Sequence, residues 1–406
     1  MSNVRDYLKE REKRLGNAGM PARTSYRDKI KSHKLTIFYR AALVIVLIAV
    51  VAAFLVLQWK NKVFTTSVVT SSSPVTIVQG ARVCALGNSV LLYSKDGASC
   101  LDSKGNSLWN QTFEMQNPMI AVCGDVAAIG DYNGRTVYVV SSTKQLGTIN
   151  TNLPIRRICV SQNGVVAAVL DDAAITRILL YNGNENTDTS LIDIKATMDK
   201  SGYPMSLSLS PNGKLLAISY LHVDGGEMKS TVAFFNFGEV GKNESDNYVS
   251  GYDYSDTVVP YVQFMNNNAA FAVSDDRIVF FTGSEKPNST ASAFLNEEAQ
   301  GIYYNEEYVG MVYHDQTGEA IYRLDVYNTS GNKIHSQLFD IEYTDIIFNK
   351  DQIIIYNDMD CQICNISGVN KFMGQFEKPS SLIVPTSSIY RYIAVTSSSI
   401  DTIELE

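Results

Sequence analysis

Two cysteines carry the spacing that most resembles a chemical site in this chain. Cys361 and Cys364 form a C-x-x-C pair, which is typical of redox centres and of metal sites. The pair falls in a predicted strand, where residues three apart point to opposite faces. The two thiols can therefore share a metal or a disulfide only if Cys361 lies in a turn. No second C-x-x-C completes a zinc site. The sequence favours packing for this pair over redox or metal chemistry.

Three further cysteines recur at equivalent places. Cys84, Cys123 and Cys159 each fall in the first apolar strand of three successive units of the chain. Their equivalent positions predict small, buried side chains that pack near a central channel. We therefore predict no bound cofactor and no metal.

Histidines and paired carboxylates are the other candidates for catalysis. The four histidines lie far apart, and the sequence lacks the motifs of zinc proteases, serine hydrolases and phosphate-binding loops. Carboxylate pairs could bind Ca²⁺, but no loop of alternating oxygen ligands surrounds them, which favours a role in hairpin turns. These pairs are Asp171–Asp172, Asp275–Asp276 and Asp358 with Asp360. We assign no catalytic residue and predict that the chain is not an enzyme.

A tyrosine-rich segment is the best candidate for binding. Tyr248, Tyr252 and Tyr254 lie among acidic residues in 240–256, which we expect, with 182–189, to be one of the two longest loops. Surface loops commonly carry binding residues, and this composition suits contact with protein or sugar. The alternative is a disordered surface insertion.

The elements that position these residues begin with an apolar segment. Residues 41–57 contain no polar side chain, and about 20 helical residues span the hydrocarbon core of a membrane. We predict a transmembrane signal-anchor helix over 37–59, with Tyr39 and Trp59 at the two interfaces. The alternatives are a cleaved signal peptide and a buried core helix.

Charge gives the predicted orientation. Residues 1–40 hold 11 basic and 4 acidic residues, whereas 63–406 hold 21 basic and 38 acidic residues. The positive-inside bias places the tail, 1–36, in the cytoplasm and the C-terminal domain outside the cell. The tail is either a topology signal or a docking site for anionic lipid or a cytoplasmic partner. The acidic remainder makes nucleic acid an unsuitable partner.

The C-terminal domain, 81–406, consists of short apolar strands separated by Gly, Asn and Asp turns. Similar strands recur about every 43 residues, and a period of 40–50 with four strands per unit is typical of a β-propeller. We predict an all-β fold with eight blades; seven blades or a β-sandwich are the alternatives. The recurring second strands are predicted at 126–130, 165–170, 215–219, 269–274, 308–313, 352–357 and 392–397.

The last unit, 380–406, has room for only three strands. Residues 60–80 are predicted to be a linker with a ring-closing strand, because 65–73 is extended and lies outside all units. A strand from the N-terminal side of the domain would complete the last blade and remove two exposed edges.

Two motifs carry a resemblance to known families. The segment 101–109, LDSKGNSLW, resembles the repeat of quinoprotein-type propellers, in which the Trp is a structural wedge between blades. The corresponding segment 327–335 keeps the Gly but has His335 in place of Trp. The layout, with LLYSKDGASCLDSKGNSLW and GDYNG, is similar to an uncharacterised family of membrane-anchored propeller proteins of Clostridia and related Gram-positive bacteria. That resemblance implies a cell-surface location and carries no known activity.

These observations predict a membrane-tethered extracytoplasmic module of the cell envelope that binds or scaffolds an envelope protein or polymer. The alternative is an envelope enzyme of quinoprotein or glycan-processing type. The lining of the central channel distinguishes them. Val, Ala and Cys would favour binding, whereas converging charged residues with a cofactor would favour catalysis.

Overall fold

The computed structural model describes residues 3–17, 26–60, 62–78, 80–172, 175–197, 201–224 and 226–406. By its internal contacts the chain divides into two units, residues 1–62 and 63–406.

The N-terminal unit is helical. Helix α1 (Asn3–Asn17) is highly charged, and helix α2 (Tyr26–Lys60) contains the apolar run. Within α2, the segment His33–Leu55 has a mean hydropathy of 2.6, and none of it is buried. It is the one helix among the described residues that is long and apolar enough to cross a membrane, and an anchor and a signal sequence both have this character.

The C-terminal unit contains eight sheets of four antiparallel strands, each a propeller blade. Eight blades are therefore confirmed, and the seven-blade and sandwich alternatives are wrong. The first strand is β1 (Ser67–Pro74), and the strands of blades 1–4 follow it. They are β2 (Arg82–Leu86), β3 (Ser89–Tyr93), β4 (Gly97–Leu101), β5 (Ser107–Thr112); β6 (Pro118–Cys123), β7 (Val126–Asp131), β8 (Thr136–Ser141), β9 (Gln145–Asn150); β10 (Ile155–Val160), β11 (Val165–Asp172), β12 (Ile175–Asn182), β13 (Ile192–Ala196); β14 (Tyr203–Leu209), β15 (Leu215–Asp224), β16 (Glu227–Asn236) and β17 (Tyr248–Ser255).

Blades 5–8 continue the same pattern, except that the last blade takes its outer strand from β1. Their strands are β18 (Tyr261–Phe264), β19 (Ala269–Val273), β20 (Arg277–Thr282), β21 (Asn288–Phe294); β22 (Gly301–Tyr304), β23 (Tyr308–His314), β24 (Tyr322–Asn328), β25 (Lys333–Phe339); β26 (Asp345–Asn349), β27 (Gln352–Tyr356), β28 (Asp360–Asn365), β29 (Asn370–Gln375); β30 (Ser380–Pro385), β31 (Arg391–Thr396) and β32 (Ser399–Leu405).

The middle of the second strand of each blade is largely apolar because neighbouring blades cover both of its faces. In β27 all five residues are buried, and in β19 likewise. Eight apolar clusters of described residues lie between neighbouring blades, and the cluster between blades 8 and 1 includes Val90 and Ile393. The core is thus divided into eight interfaces around the ring.

Ring closure depends on β1, which lies within the segment predicted from its extended sequence. It pairs antiparallel with β32, from Ser67 opposite Leu405 to Pro74 opposite Ser399. The Thr66 hydroxyl also donates a hydrogen bond to the Glu406 carbonyl at 3.0 Å, although these residues are 340 positions apart. The two ends of the propeller sequence therefore meet in blade 8.

Candidate functional site

The C-x-x-C cysteines lie on opposite faces of β28, as their spacing predicted. Cys361 packs in the cluster between blades 7 and 8, and Cys364 packs in the cluster between blades 6 and 7. Both are free thiols, and burial raises both pKa values, that of Cys364 to about 12. Protonated, separated thiols of this kind fill space between blades.

The three repeated cysteines lie in the first strands of blades 1–3. Cys159 is buried as predicted, whereas Cys84 and Cys123 are partly buried. Burial raises the pKa of Cys84 and of Cys159 to about 12. These thiols therefore stay protonated at neutral pH and are poor nucleophiles.

The channel at the centre of the ring contains a cavity at the end where first strands finish. We call it the lower cavity. It has a volume of about 390 Å³, and its lining comes from the first strands of blades 2–6 and their following turns. Ala121, Val122, Cys123, Cys159 and Val160 are among its lining residues. The Val, Ala and Cys side chains that the sequence associated with binding or scaffolding are thus present, but Gln162, Gln263, Asn305 and Glu306 line the cavity with them.

The opposite end of the channel, where the first strands begin, has different chemistry. We call this cavity of about 620 Å³ the upper mouth. Four cations and three phenol rings contribute to its lining, and none of the described residues lining it is Asp, Glu or His. These residues are Arg82, Lys95, Arg156 and Arg157 with Tyr93, Tyr132 and Tyr261.

One cation of the upper mouth is fixed in place. Arg156 Nη2 and Nε donate to Asp171 Oδ2 at 2.6 and 3.0 Å, and Nη1 donates to the Tyr132 hydroxyl at 3.2 Å and to Asn133 Oδ1. The guanidinium lies 5.4 Å from the centre of the Tyr132 ring. The pairing of β10 with β11 is irregular between Ile155 and Arg157, and such irregularities re-aim side chains at strand ends.

The other three cations have no carboxylate partner among the described residues. Arg82, Lys95 and Arg157 are exposed. Arg82 lies beside the Tyr93 phenol, where it partly offsets the rise in the Tyr93 pKa that burial causes. The upper mouth therefore holds three cations without an ion-pair partner among the described residues, and the nearby Asp131 carboxylate accepts hydrogen bonds from the Gln116 and Asn117 backbone N–H groups.

Sequence reasoning missed these cations, although a signal was present. Arg82 and Arg157 each precede a repeated cysteine, Cys84 or Cys159, by two residues. Residues two apart lie on the same face of a strand. An arginine that recurs two residues before the repeated cysteine is therefore expected at the same height along the channel in each blade.

The predicted loop 240–256 is correct only as far as Asn247, because β17 begins at Tyr248. It forms two short 3₁₀ helices, Gly241–Asn243 and Ser245–Asn247, followed by β17, because Tyr248–Ser255 pairs with β16 as the outer strand of blade 4. The segment is therefore an ordered edge of the sheet. The alternative of a disordered insertion is also wrong.

Two of the three predicted binding tyrosines, Tyr248 and Tyr254, line the same groove, and Tyr252 does not. Tyr252 and Tyr254 pack against the cluster between blades 4 and 5, and the Tyr252 hydroxyl donates to the Pro287 carbonyl at 3.1 Å. Tyr248 lies over Phe235, with ring centres 5.8 Å apart, and lines a groove of about 1010 Å³ together with residues of blade 3. Tyr254 lines the same groove but is only partly exposed, whereas Tyr248 is exposed.

The carboxylate pairs have ordinary structural roles. Asp171 pairs with Arg156, Arg177 approaches Asp172 at 3.5 Å, and Asp276 pairs with Arg277 at 2.5 Å. No group of three or more metal-ligating side chains is found within the part of the chain that the structure describes.

The quinoprotein-like Trp behaves as a wedge. Trp109 packs between blades 1 and 2, and its indole N–H donates to the Ser141 carbonyl at 2.9 Å. His335 lies at the corresponding position, against Gly368 of blade 7. The resemblance is therefore one of blade packing.

The chain has one apolar N-terminal helix followed in sequence by a closed ring of eight blades. These features define its class, an eight-bladed β-propeller protein with a candidate membrane span. Residues 60–405 match the model of a family of unknown function, DUF5711. The chain belongs to that family. A comparison with curated protein sequences gave no match.

Solved structures with a similar fold are distant in sequence. Sqt1 from Saccharomyces cerevisiae is 10% identical with a TM-score of 0.51, and 83% of this chain covers 100% of that one. BamB from Moraxella catarrhalis is 12% identical, with the same coverage and a TM-score of 0.47. AztD from Citrobacter koseri is 9% identical, with 80% and 89% covered and a TM-score of 0.48. At these identities the likeness to Sqt1 supports the propeller fold alone.

Proposed function

We propose that this protein is a membrane-tethered extracytoplasmic module of the cell envelope that binds or scaffolds an envelope protein or polymer. The observation that carries the proposal is the bare apolar helix that precedes the ring. Helix α2 ends at Lys60 and β1 begins at Ser67, so the anchor and the ring-closing strand are near neighbours in the chain.

The physical case for the tether is the apolar surface of α2. Leu43, Ile45 and Leu47 have 60–67% of their surface exposed. Apolar surface in water costs about 25 cal/mol per Å², whereas lipid accepts it, and a helix satisfies its own backbone polar groups. We propose that the chain has four parts: a cytoplasmic tail (1–36), a transmembrane helix (37–59), a linker with the ring-closing strand (60–80) and an extracytoplasmic propeller (81–406).

The upper mouth supports binding as its task. Guanidinium groups stay protonated at any physiological pH, and the Tyr93 pKa is raised, so these groups hold ligands and do not exchange protons. A glycan-processing enzyme would need an acid or base at such a mouth. Tyr248 and Tyr254 remain candidates for a second contact at the groove that they share, whereas Tyr252 packs between blades 4 and 5.

Labelling of intact cells tests the topology with a matched pair of variants. Lys214→Cys places a thiol on an exposed turn of the propeller, and Lys9→Cys places one on exposed α1. The native cysteines, partly or fully buried with raised pKa values, should react slowly. A membrane-impermeant maleimide should label Lys214→Cys in intact cells, and Lys9→Cys only after permeabilisation.

The reverse pattern would overturn the proposed orientation. The protein should also remain in the membrane fraction, at its full-length mass, after an alkaline carbonate wash. A soluble product lacking residues 1–60 would instead identify α2 as a cleaved signal sequence.

A further inference from the structure

We propose that the upper mouth binds the acidic group of an anionic carbohydrate, a uronic acid or a sugar phosphate. This inference rests on the proposed function as an envelope binding module and names the ligand class at its channel. The structural observation is the convergence of Arg82, Lys95 and Arg157 on one cavity without a carboxylate among its described lining residues.

The charge of the upper mouth contrasts with that of its surroundings. Residues 63–406 hold 38 acidic and 21 basic residues, yet the cavity is lined by cations. A cleft lined by one sign of charge concentrates ligands of the opposite sign. The acidic surface of the domain therefore repels polyanions, whereas the cationic upper mouth attracts a single anionic group.

Arg156 and Arg157 are neighbours in the chain but have different roles in the upper mouth. Arg156 forms an ion pair with Asp171, and its guanidinium contacts both the hydroxyl and the ring of Tyr132. We therefore assign it the role of positioning Tyr132. Its neighbour Arg157 is exposed and has no carboxylate partner among the described residues. A free guanidinium forms paired hydrogen bonds with a carboxylate or phosphate, which a lysine cannot reproduce.

The remaining lining fits a hydroxyl-rich body attached to that anion. Gln116, Asn117 and Ser94 supply amide and hydroxyl groups, and the Tyr132 ring is 43% exposed beside them. Amides and hydroxyls both donate and accept, as sugar hydroxyls do. A volume of about 620 Å³ lies within the roughly 300–1,000 Å³ range of small-ligand sites, which favours one or two sugar units over a folded partner.

Calorimetric titration of the full-length protein in detergent tests the inference. The probes are a tetrasaccharide containing glucuronic acid, the sugar phosphate glucose 6-phosphate, neutral chitotetraose and hexaglutamate. We expect binding of the glucuronate or phosphate probe, with the other two at least tenfold weaker. Which anionic probe binds more tightly identifies the source of the charge.

Variants locate the binding. Arg157→Ala and Arg82→Ala should each reduce affinity by about tenfold or more, since hydrogen bonds to charged groups contribute about 1.5–3 kcal/mol. Lys214→Ala removes the same charge from an exposed turn at the opposite end of the ring and should change affinity less than twofold. Arg157→Lys should recover only part of the loss. Unchanged melting temperatures confirm that each variant folds.

Several outcomes would overturn the inference. They are equal binding of chitotetraose, tighter binding of hexaglutamate, absence of binding to every probe, or an affinity insensitive to Arg157→Ala and Arg82→Ala. The cell-labelling result is independent of them, so a failed titration with correct labelling removes this ligand class and leaves the proposed envelope module intact.

Discussion

The two ends of the central channel are built from the same first strands but differ in chemistry. The upper mouth is lined by cations and phenols near the beginnings of these strands. Near their ends, the described lining of the lower cavity has no cation and combines aliphatic side chains and thiols with amides and Glu306. In β10 the change occurs within three residues, from Arg157 to Val160. One strand therefore supplies both a candidate binding surface and part of the core between blades.

The difference indicates where sequence change should be tolerated. Val160 and Phe264 at the lower cavity belong to the clusters that join neighbouring blades, whereas Arg82 and Arg157 at the upper mouth are exposed. The lower half of the channel should determine stability and the upper half should determine ligand choice. The following predictions test that division.

The largest expected effect is on stability at the lower cavity. Phe264→Ala should lower the free energy of unfolding by about 3–5 kcal/mol, because it leaves a cavity against Phe234, whose ring centre is 6.1 Å away. Urea denaturation of the purified protein measures the change. Arg157→Ala is the matched control and should lie within about 0.5 kcal/mol of the unchanged protein. Equal losses in the two variants would contradict the division.

A smaller effect concerns pH. The Cys159 pKa is raised to about 12 by burial, against an ordinary value of 9.0, so the folded state holds its proton while the unfolded state loses it. The contribution to stability is complete below about pH 9 and declines by about 1.4 kcal/mol per pH unit above it. Between pH 8 and pH 10, the unchanged protein should lose about 1.4 kcal/mol more than Cys159→Ala. Identical pH dependence of the two proteins would show that this thiol ionises freely when folded.

The smallest expected effect is at the upper mouth. Asp171→Asn should release Arg156 and add one uncompensated positive charge, which should tighten binding of the anionic probe by about two- to threefold through a partly screened interaction. The unfolding free energy should change by less than about 1 kcal/mol, because the ion pair is partly exposed. Weaker binding would mean that Asp171 holds Arg156 in a conformation the ligand needs.

The fold was largely predictable because each blade repeats one physical constraint. A second strand covered on both faces must be apolar along its middle, and this makes short apolar runs such as those near Ala128, Ile354 and Ala394 recur once per blade. The closing strand was also predictable, since the last unit is one strand short.

The candidate site was harder to predict, for two reasons. Arg82 and Arg157 belong to different blades, and only the curvature of the ring brings them to one cavity. Conversely, β17 is an outer strand with one partner and mixed exposure, so its alternating tyrosines and acidic residues resemble a loop. Periodicity identifies covered strands well and edge strands poorly.

Closure by β1 has a consequence for the order of events in synthesis. The strand is among the first parts of the ring to leave the ribosome, but its partner β32 is the last. Bringing together segments so far apart in the chain carries a large loop-closure entropy and slows folding. A nascent or truncated chain therefore presents an unpaired strand, which proteases and chaperones can recognise until β32 has been synthesised.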